Sequence, residues 1–281
     1  MTWIFYTLIS VVTGSFIGIL QKILMKEENS DPLINTIAIQ LFGAFVCFIF
    51  AFTKGFILPP ITVYSLNFAL EAILYALVSL FSFKALKLIG ASEATIIFSF
   101  GSVVAIVASA IFLNEPLTFL RLLGALLIII SLILVAELKN FSINKGALYA
   151  LLSAVLGGLA VVNDTYLLRY SDAVSYTAIA FLLPGILLLL FYPKSIKRLK
   201  TFLKPKPFKH MFFLVLVWSV SAIAFYLAIE NGGLISQVFP ISQSKIILTV
   251  LLAAVLLKEK ENLLLKTIAS FLTIIGVILI K

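Results

Sequence analysis

The sequence predicts an all-α membrane protein in which ten transmembrane helices form two inverted five-helix repeats. Three observations predict it. The chain is 62% hydrophobic and 12% charged, whereas a soluble domain is about half apolar and about a quarter charged. Its apolar residues fall into ten runs of roughly 20 residues, the length a helix needs to cross ~30 Å of hydrocarbon. Features of the first half also recur, in order, in the second.

The runs cover 3–25, 34–53, 63–84, 93–113, 117–136, 146–168, 173–192, 209–229, 234–257 and 262–280. Helices are the expected form because backbone exposed to lipid must satisfy its own hydrogen bonds, and no run alternates as barrel strands do. The first run has no basic residue ahead of it, and its first lysines, Lys22 and Lys26, come late; it reads as a retained span rather than a signal peptide. It carries Ser10, Gly14, Gly18 and Gln21 on one face, as the sixth carries Ser153, Gly157 and Asp164. Small residues four apart let helices approach closely. Packing is therefore the expected role of these glycines, with Gln21, Asn163 and Asp164 at the cavity mouths. The third run holds Glu71 well inside it, with Tyr75, Ser79 and Ser82 on the same stripe. Before the fifth run, Glu115 precedes Pro116 and is expected to start that helix, its charge at the positive end of the dipole. Pro193 to His210 forms the one sizeable connector; its run of lysines suits a face near anionic headgroups.

The repeat appears when the chain is slid against itself. IFLNEPLTFL meets VLLKEKENLL with Glu115 on Glu259, and Ser92 falls on Ser236, both 144 residues apart. One residue must be inserted upstream of Ser92, so that Tyr75 falls on Trp218 and Gln21 on Asp164, 143 residues apart. The boundary divides the chain into 1–140 and 141–281, five runs in each. Because five is odd, the second half enters the membrane in the opposite sense. Inverted repeats of this kind exchange conformations around a site near the midplane, which points to transport.

Lys245 is the candidate for that site. It is the only charge between Leu234 and Leu257, about 17 Å along the helix from Leu234. An ionisable group at such depth costs roughly 2.5–3.5 kcal/mol on insertion scales and faces a cavity or a partner. Ser242 and Thr249 share its face, and Pro240 removes a backbone hydrogen bond one turn earlier, a helix break that frees a carbonyl. Glu71 is the expected partner of Lys245, in a pair that a substrate or a proton would open. Tyr75 and Trp218, equivalent in the repeat, are expected to face each other as walls of the pocket. Gly101, which falls on Lys245, would leave the opposite side small. The candidate substrate-binding residues are Lys245, Glu71, Tyr75, Trp218, Ser242, Ser79 and Gln237, with Pro240 as the helix break.

Other chemistry is excluded by what the chain lacks. One histidine, His210, and one cysteine, Cys47, exclude a clustered metal site and an intramolecular disulfide. No nucleotide-binding loop and no nucleophile–base pair can be assembled, so the chain does not read as an enzyme, and no cofactor is expected. The net charge of +9 belongs to loops near headgroups and not to nucleic-acid binding. Expected partners are a small-molecule substrate, membrane lipids and protons as coupling ion, for a monomer or weak dimer in the cell membrane.

The stretch YALVSLFSFKALKLIGASEATIIFSFGSVVAIVASAIFLNEPLTFLRLLGALLIIISLILV (75–135) resembles the EamA half-domain of the drug/metabolite transporter superfamily. It shares the AL-x-x-x-GAS turn, the apolar fourth span, the E-P-L-T turn and the glycine of the fifth span. AIENGGLISQVFPISQSKIILTVLLAAVLLKEKENLLLKTIASFLTIIGVILI (228–280) repeats the pattern, with KEKEN in place of E-P-L-T. The resemblance implies a secondary transporter of small metabolites with its termini in the cytoplasm. Charge implies the reverse orientation: 16 of the 21 Lys and Arg, among them Lys139 and Lys260, gather on the face opposite the termini, and four, including Lys281, on the terminal face. By the positive-inside rule the termini then lie outside. One lysine, one acid and aromatic walls suit amino-acid export. The alternatives are a carrier of anionic metabolites or nucleotide-linked sugars, which would favour more basic residues, and a non-transporting sensor or lipid-pathway partner.

Overall fold

The computed structural model describes residues 2–27, 30–137, 144–259 and 262–280. Among them every regular element is helical: α1 (Thr2–Met25), α2 (Pro32–Lys54), α3 (Ser65–Leu88), α4 (Ala91–Phe98), α5 (Phe100–Phe112), α6 (Phe119–Glu137), α7 (Lys145–Leu167), α8 (Ala173–Phe191), α9 (Ser195–Arg198), a 3-10 turn (Leu199–Leu203), α10 (Pro205–Glu230), α11 (Ile235–Ser242), α12 (Lys245–Leu256) and α13 (Leu263–Ile280). Eight spans are long and apolar enough to cross a membrane, counting α4 with α5 and α11 with α12 as single spans; α6 and α13 contribute the shorter apolar stretches Phe119–Ser131 and Leu263–Gly276. The chain is a multi-pass integral membrane protein. Large apolar side chains such as Phe45, Phe52, Leu190 and Val255 stand exposed on its outside, where lipid rather than water is their natural solvent.

Local chemistry explains the helix ends. Asp31 accepts a hydrogen bond from the Leu33 N–H at 2.8 Å, with Pro32 at the first helical position of α2. Asn144 and Asp172 cap α7 and α8 in the same way, accepting from the Ala147 and Ser175 N–H groups. Each replaces one of the donors that a helix start leaves without a partner.

The fourth and ninth spans depart from the continuous helices expected. Each is broken near its middle, at Ser99 and at Gln243–Ser244, where tight bonds such as Ser102 N–H to Ser99 C=O (2.9 Å) and Ile246 N–H to Gln243 C=O (2.9 Å) replace the α-helical ladder. Pro240 lies inside α11, three residues ahead of its break. The same interruption occurs at Ser99 without a proline, so Pro240 is not its general cause. The connector after α8 also holds unexpected structure: α9, a 3-10 turn, and a start of α10 four residues earlier than its apolar run. Two of its basic side chains face acids of the α1–α2 connection. Arg198 bonds Asp31 at 2.7 Å, and His210 lies 3.3 Å from Glu27. Lys139, Lys260 and Lys281, used in the charge count, lie outside the described residues.

Helix pairing keeps its pattern when the two halves are exchanged. The closest pairs are α1 with α10, α3 with α7, α2 with α8, and α6 with α13. Exchange turns α1–α10 into α7–α3 and leaves the other two unchanged. Hydrogen bonds follow the same rule. Ser221 Oγ donates to the Ser10 carbonyl at 3.2 Å, and Ser153 Oγ donates to the Val78 carbonyl at 2.9 Å. Ser10 and Ser153 are repeat equivalents, as are Val78 and Ser221.

Glu115 does not start α6, as the sequence suggested. Its carboxylate accepts from the Ile235 and Ser236 N–H groups of α11, both at 3.1 Å. Its equivalent Glu259 accepts from the Ala91 and Ser92 N–H groups of α4 at 3.0 and 3.1 Å, and from Ser92 Oγ at 2.9 Å. Each half therefore caps the broken helix of the other. The residues just before, Asn114 and Lys258, both have left-handed backbone (φ 57° and 60°), a conformation that ends helices and swings the chain aside. Gly90 makes room for one cap, since a Cβ there would stand 2.8 Å from Glu259 Oε2. Replacing either glutamate by alanine leaves two helix-start N–H groups without their acceptor. Glu115→Ala and Glu259→Ala are each expected to destabilise the fold by about 1–2 kcal/mol, seen as a lower unfolding temperature in detergent. Ser92→Ala, which removes one bond, should shift it less; equal temperatures for all four chains would contradict the capping role.

Candidate functional site

A cavity of about 260 Å³ lies among α1, α3, α7, α10 and the two broken spans. Because α1 and α10 run antiparallel, with Trp3 beside Gly233 and Ser10 beside Ser221, Gln21 and Tyr226 mark opposite ends of it. Of the sequence candidates, Lys245, Tyr75, Trp218, Ser242 and Ser79 line the cavity; Glu71, Gln237 and Pro240 do not. Gly14, Gly18 and Gly157 are also in the lining, so these glycines do more than pack helices together. Gly101 is the reverse case. It is absent from the lining, and a Cβ on it would stand 2.8 Å from the Ala154 carbonyl, so it serves the close approach of α5 and α7.

Lys245 is the first residue of α12, immediately after the break. Its stem lies against Gly14: a Cβ on that glycine would stand 3.1 Å from Lys245 Cδ and 3.3 Å from Ser221 Oγ. Nearby, Thr249 Oγ1 donates to the Ser15 carbonyl at 3.1 Å, tying α12 to α1. The expected pair with Glu71 is not formed. Among the described residues no carboxylate lies within ion-pair distance of Lys245, and Glu71 is completely buried with neither carboxyl oxygen hydrogen-bonded. The reason is geometric. Glu71 lies on the stripe of α3 between Asn67, which bonds Asn163, and Tyr75, which bonds Asp164, and so faces α7 beside Asp164, while Lys245 stands at mid-span.

Asp164 is the centre of the polar structure that sequence reasoning missed. It is fully buried. Tyr176 donates to its Oδ1 at 2.7 Å, and Tyr226 to its Oδ2 at 2.7 Å. Tyr75 also donates to Oδ2 and lies 3.1 Å from the Tyr226 hydroxyl. Tyr75 and Tyr226 line the cavity, whereas Asp164 stands behind them. The three phenols come from α3, α8 and α10, so no spacing along the chain links them to Asp164. The only sequence signal was an acid within an apolar run, and its place near the run's end suggested a mouth. Asn163 beside it bonds Asn67, whose Nδ2 donates to Asn163 Oδ1 at 2.8 Å. Tyr75 thus belongs to the acid cluster, while Trp218 packs edge-on against Phe181, ring centroids 6.4 Å apart.

Three glutamines add polar groups to the lining. Gln40 Nε2 donates to Ser79 Oγ at 2.8 Å. Gln21 Nε2 and Gln243 Oε1 are buried without hydrogen-bond partners in the protein. A donor and an acceptor buried without partners, on residues that line one cavity together with an ammonium group, mark a place for a polar ligand, because buried polar groups are otherwise almost always paired.

A helical membrane protein with broken spans around a central polar cavity belongs among the carriers. The chain is a member of the EamA-like transporter family, whose model matches residues 1–136 and 144–281. A solved structure described only as "Crystal structure of protein" shares the fold, with a TM-score of 0.67 at 17% identity, covering 98% of this chain and 94% of that one. No curated protein matches the sequence. The phenol cluster yields a direct test. Tyr176→Phe removes one donor to Asp164 without altering the cavity lining, and is expected to lower stability by roughly 1.5–3 kcal/mol, as for a bond to a charged group. An unfolding temperature equal to wild type would show that the bond contributes nothing.

Proposed function

We propose that the protein is a secondary transporter that exports small metabolites, amino acids or similar zwitterions above all, by alternating access. On this reading residues 1–140 and 141–281 are oppositely inserted five-span halves that rock about the cavity. The exchange symmetry of the helix pairs and hydrogen bonds supports it.

The observation that carries the substrate class is Lys245, the sole basic residue in the described cavity lining, without a protein carboxylate to neutralise it. A substrate carboxylate would complete the missing ion pair, with Ser242 and the unpaired amides of Gln21 and Gln243 as further polar groups beside it. The amine of a zwitterion would turn toward the end where Tyr75 and Tyr226 cover Asp164. Trp218, Phe181 and Phe239 would hold the apolar part. Gln237 and Pro240 then act by shaping α11 rather than by touching substrate. Nucleotide-linked sugars fit less well: a diphosphate would need more than one cation, and about 260 Å³ lies below the usual range of roughly 300–1,000 Å³ for ligand pockets.

Counterflow into proteoliposomes, screened over amino acids, organic anions and quaternary amines, tests the reading. Amino acids are the expected hits. Lys245→Ala should abolish counterflow while leaving insertion and unfolding temperature near wild type, and Gly14→Val, which crowds the lysine stem, should reduce it strongly. Full counterflow by Lys245→Ala would reject the role of the lysine, and exchange of organic anions alone would favour the second reading.

A further inference from the structure

We propose that Glu71 and Asp164 form a proton-binding site beside the cavity, with the proton carried on Glu71 and released when the Tyr75–Tyr226 cover is rearranged. The inference deepens the transporter reading and rests on it only for the step from proton binding to coupling.

Two carboxyl groups share one compartment, both completely buried, and they are furnished differently. Asp164 accepts three phenol hydrogens. Glu71 accepts none, and both its oxygens are closed off from solvent. An ionised carboxylate left so, next to a second one, is among the most expensive arrangements a protein interior can hold. It persists only if positive charge compensates it.

Among the described residues the surrounding elements do not supply that charge. Tyr75 on α3 itself, Asp164 on α7, Tyr176 on α8 and Tyr226 on α10 are the titratable groups facing the site, and none is a cation. The charges on the other helices packed against α3 lie at helix ends. Lys22 of α1 donates to the Leu86 and Ile89 carbonyls, each at 2.7 Å; Lys54 is exposed in the last turn of α2; and Glu93, in the first turn of α4, is an acid. Lys245 makes no ion pair with either carboxylate. A metal ion is poorly served, since the Asp164 oxygens face three O–H groups and the described residues hold no cluster of three or more metal-ligating side chains. A proton needs no such cage.

The link to the cavity is Tyr75. It sits one turn from Glu71 on α3, lines the cavity and bonds both Asp164 and Tyr226. A polar ligand that takes a hydrogen bond from Tyr75 or Tyr226 withdraws it from Asp164. The pair of acids then competes differently for the proton.

Infrared difference spectroscopy on the full chain in proteoliposomes tests this without a substrate. Near pH 7 exposed Asp and Glu are ionised, so a protonated carboxyl C=O band there reports a buried acid. We expect such a band in wild type, its loss in Glu71→Gln, a shift in Asp164→Asn, and no change in Glu115→Gln. Absence of the band in wild type overturns the proposal whatever the variants do, including a Glu71→Gln chain that fails to fold. A saturable rise in unfolding temperature with Na+ over choline, without the band, overturns it in favour of a metal cation. Band present but counterflow independent of pH would remove coupling and leave the proton site standing, and a Lys245→Ala chain with full counterflow would reject the substrate reading without touching the band.

Discussion

A buried helix start leaves backbone N–H groups that water does not reach, and protein must satisfy them. That constraint governs the whole arrangement. Both broken spans lie beside the cavity, and both begin with N–H groups held by a glutamate from the other half. The caps require the chain to turn sharply after α5 and after α12, which the left-handed Asn114 and Lys258 provide. Neither half completes its own broken span.

The same scarcity of water sorts the charges. Lys245 is tolerated at mid-span because it opens onto the cavity and rests its stem on a glycine. The acids are tolerated elsewhere, and by other means. Asp164 is wrapped by phenols, which offer strong donors while presenting apolar faces to their neighbours. Had Lys245 and Glu71 paired as first expected, the cavity would hold no uncompensated group and little reason to bind a polar solute. Keeping opposite charges apart leaves the cavity with a polarity along its length.

The apolar runs and the duplicated order of features were legible because hydropathy and self-similarity are written along the chain, although among the described residues eight of the ten expected spans are long and apolar enough to cross a membrane and two are shorter. Lys245, Tyr75, Ser79, Ser242 and Trp218 were legible as cavity residues because they interrupt apolar runs on one face. What sequence did not carry was partnership across helices. Tyr176 and Tyr226 look like ordinary span aromatics, and nothing in their spacing points to Asp164. Glu115 looked like a local cap because E-P is a helix-start signal, yet its acceptor role lies 120 residues away along the chain. The break at Ser99 was hidden because no proline marks it and Gly101, two residues on, reads equally as a close-packing residue; its likeness to Gln243 in the folded chain reveals it.

The two halves share a plan but not a chemistry. Exchange places Gln21 on Asp164, Trp218 on Tyr75 and Phe83 on Tyr226. One end of the cavity is therefore closed by an acid and phenols in mutual hydrogen bonds. The other presents an amide whose donor is free, an indole, and a buried phenylalanine. A fold that rocks between equivalent arrangements would gain no direction from symmetry alone. Direction requires that closing one end differ in free energy from closing the other, and that a solute or a proton change that difference. The acid–phenol cluster is a place where the halves differ, and it touches the cavity through two side chains, Tyr75 and Tyr226, that a bound solute would also touch.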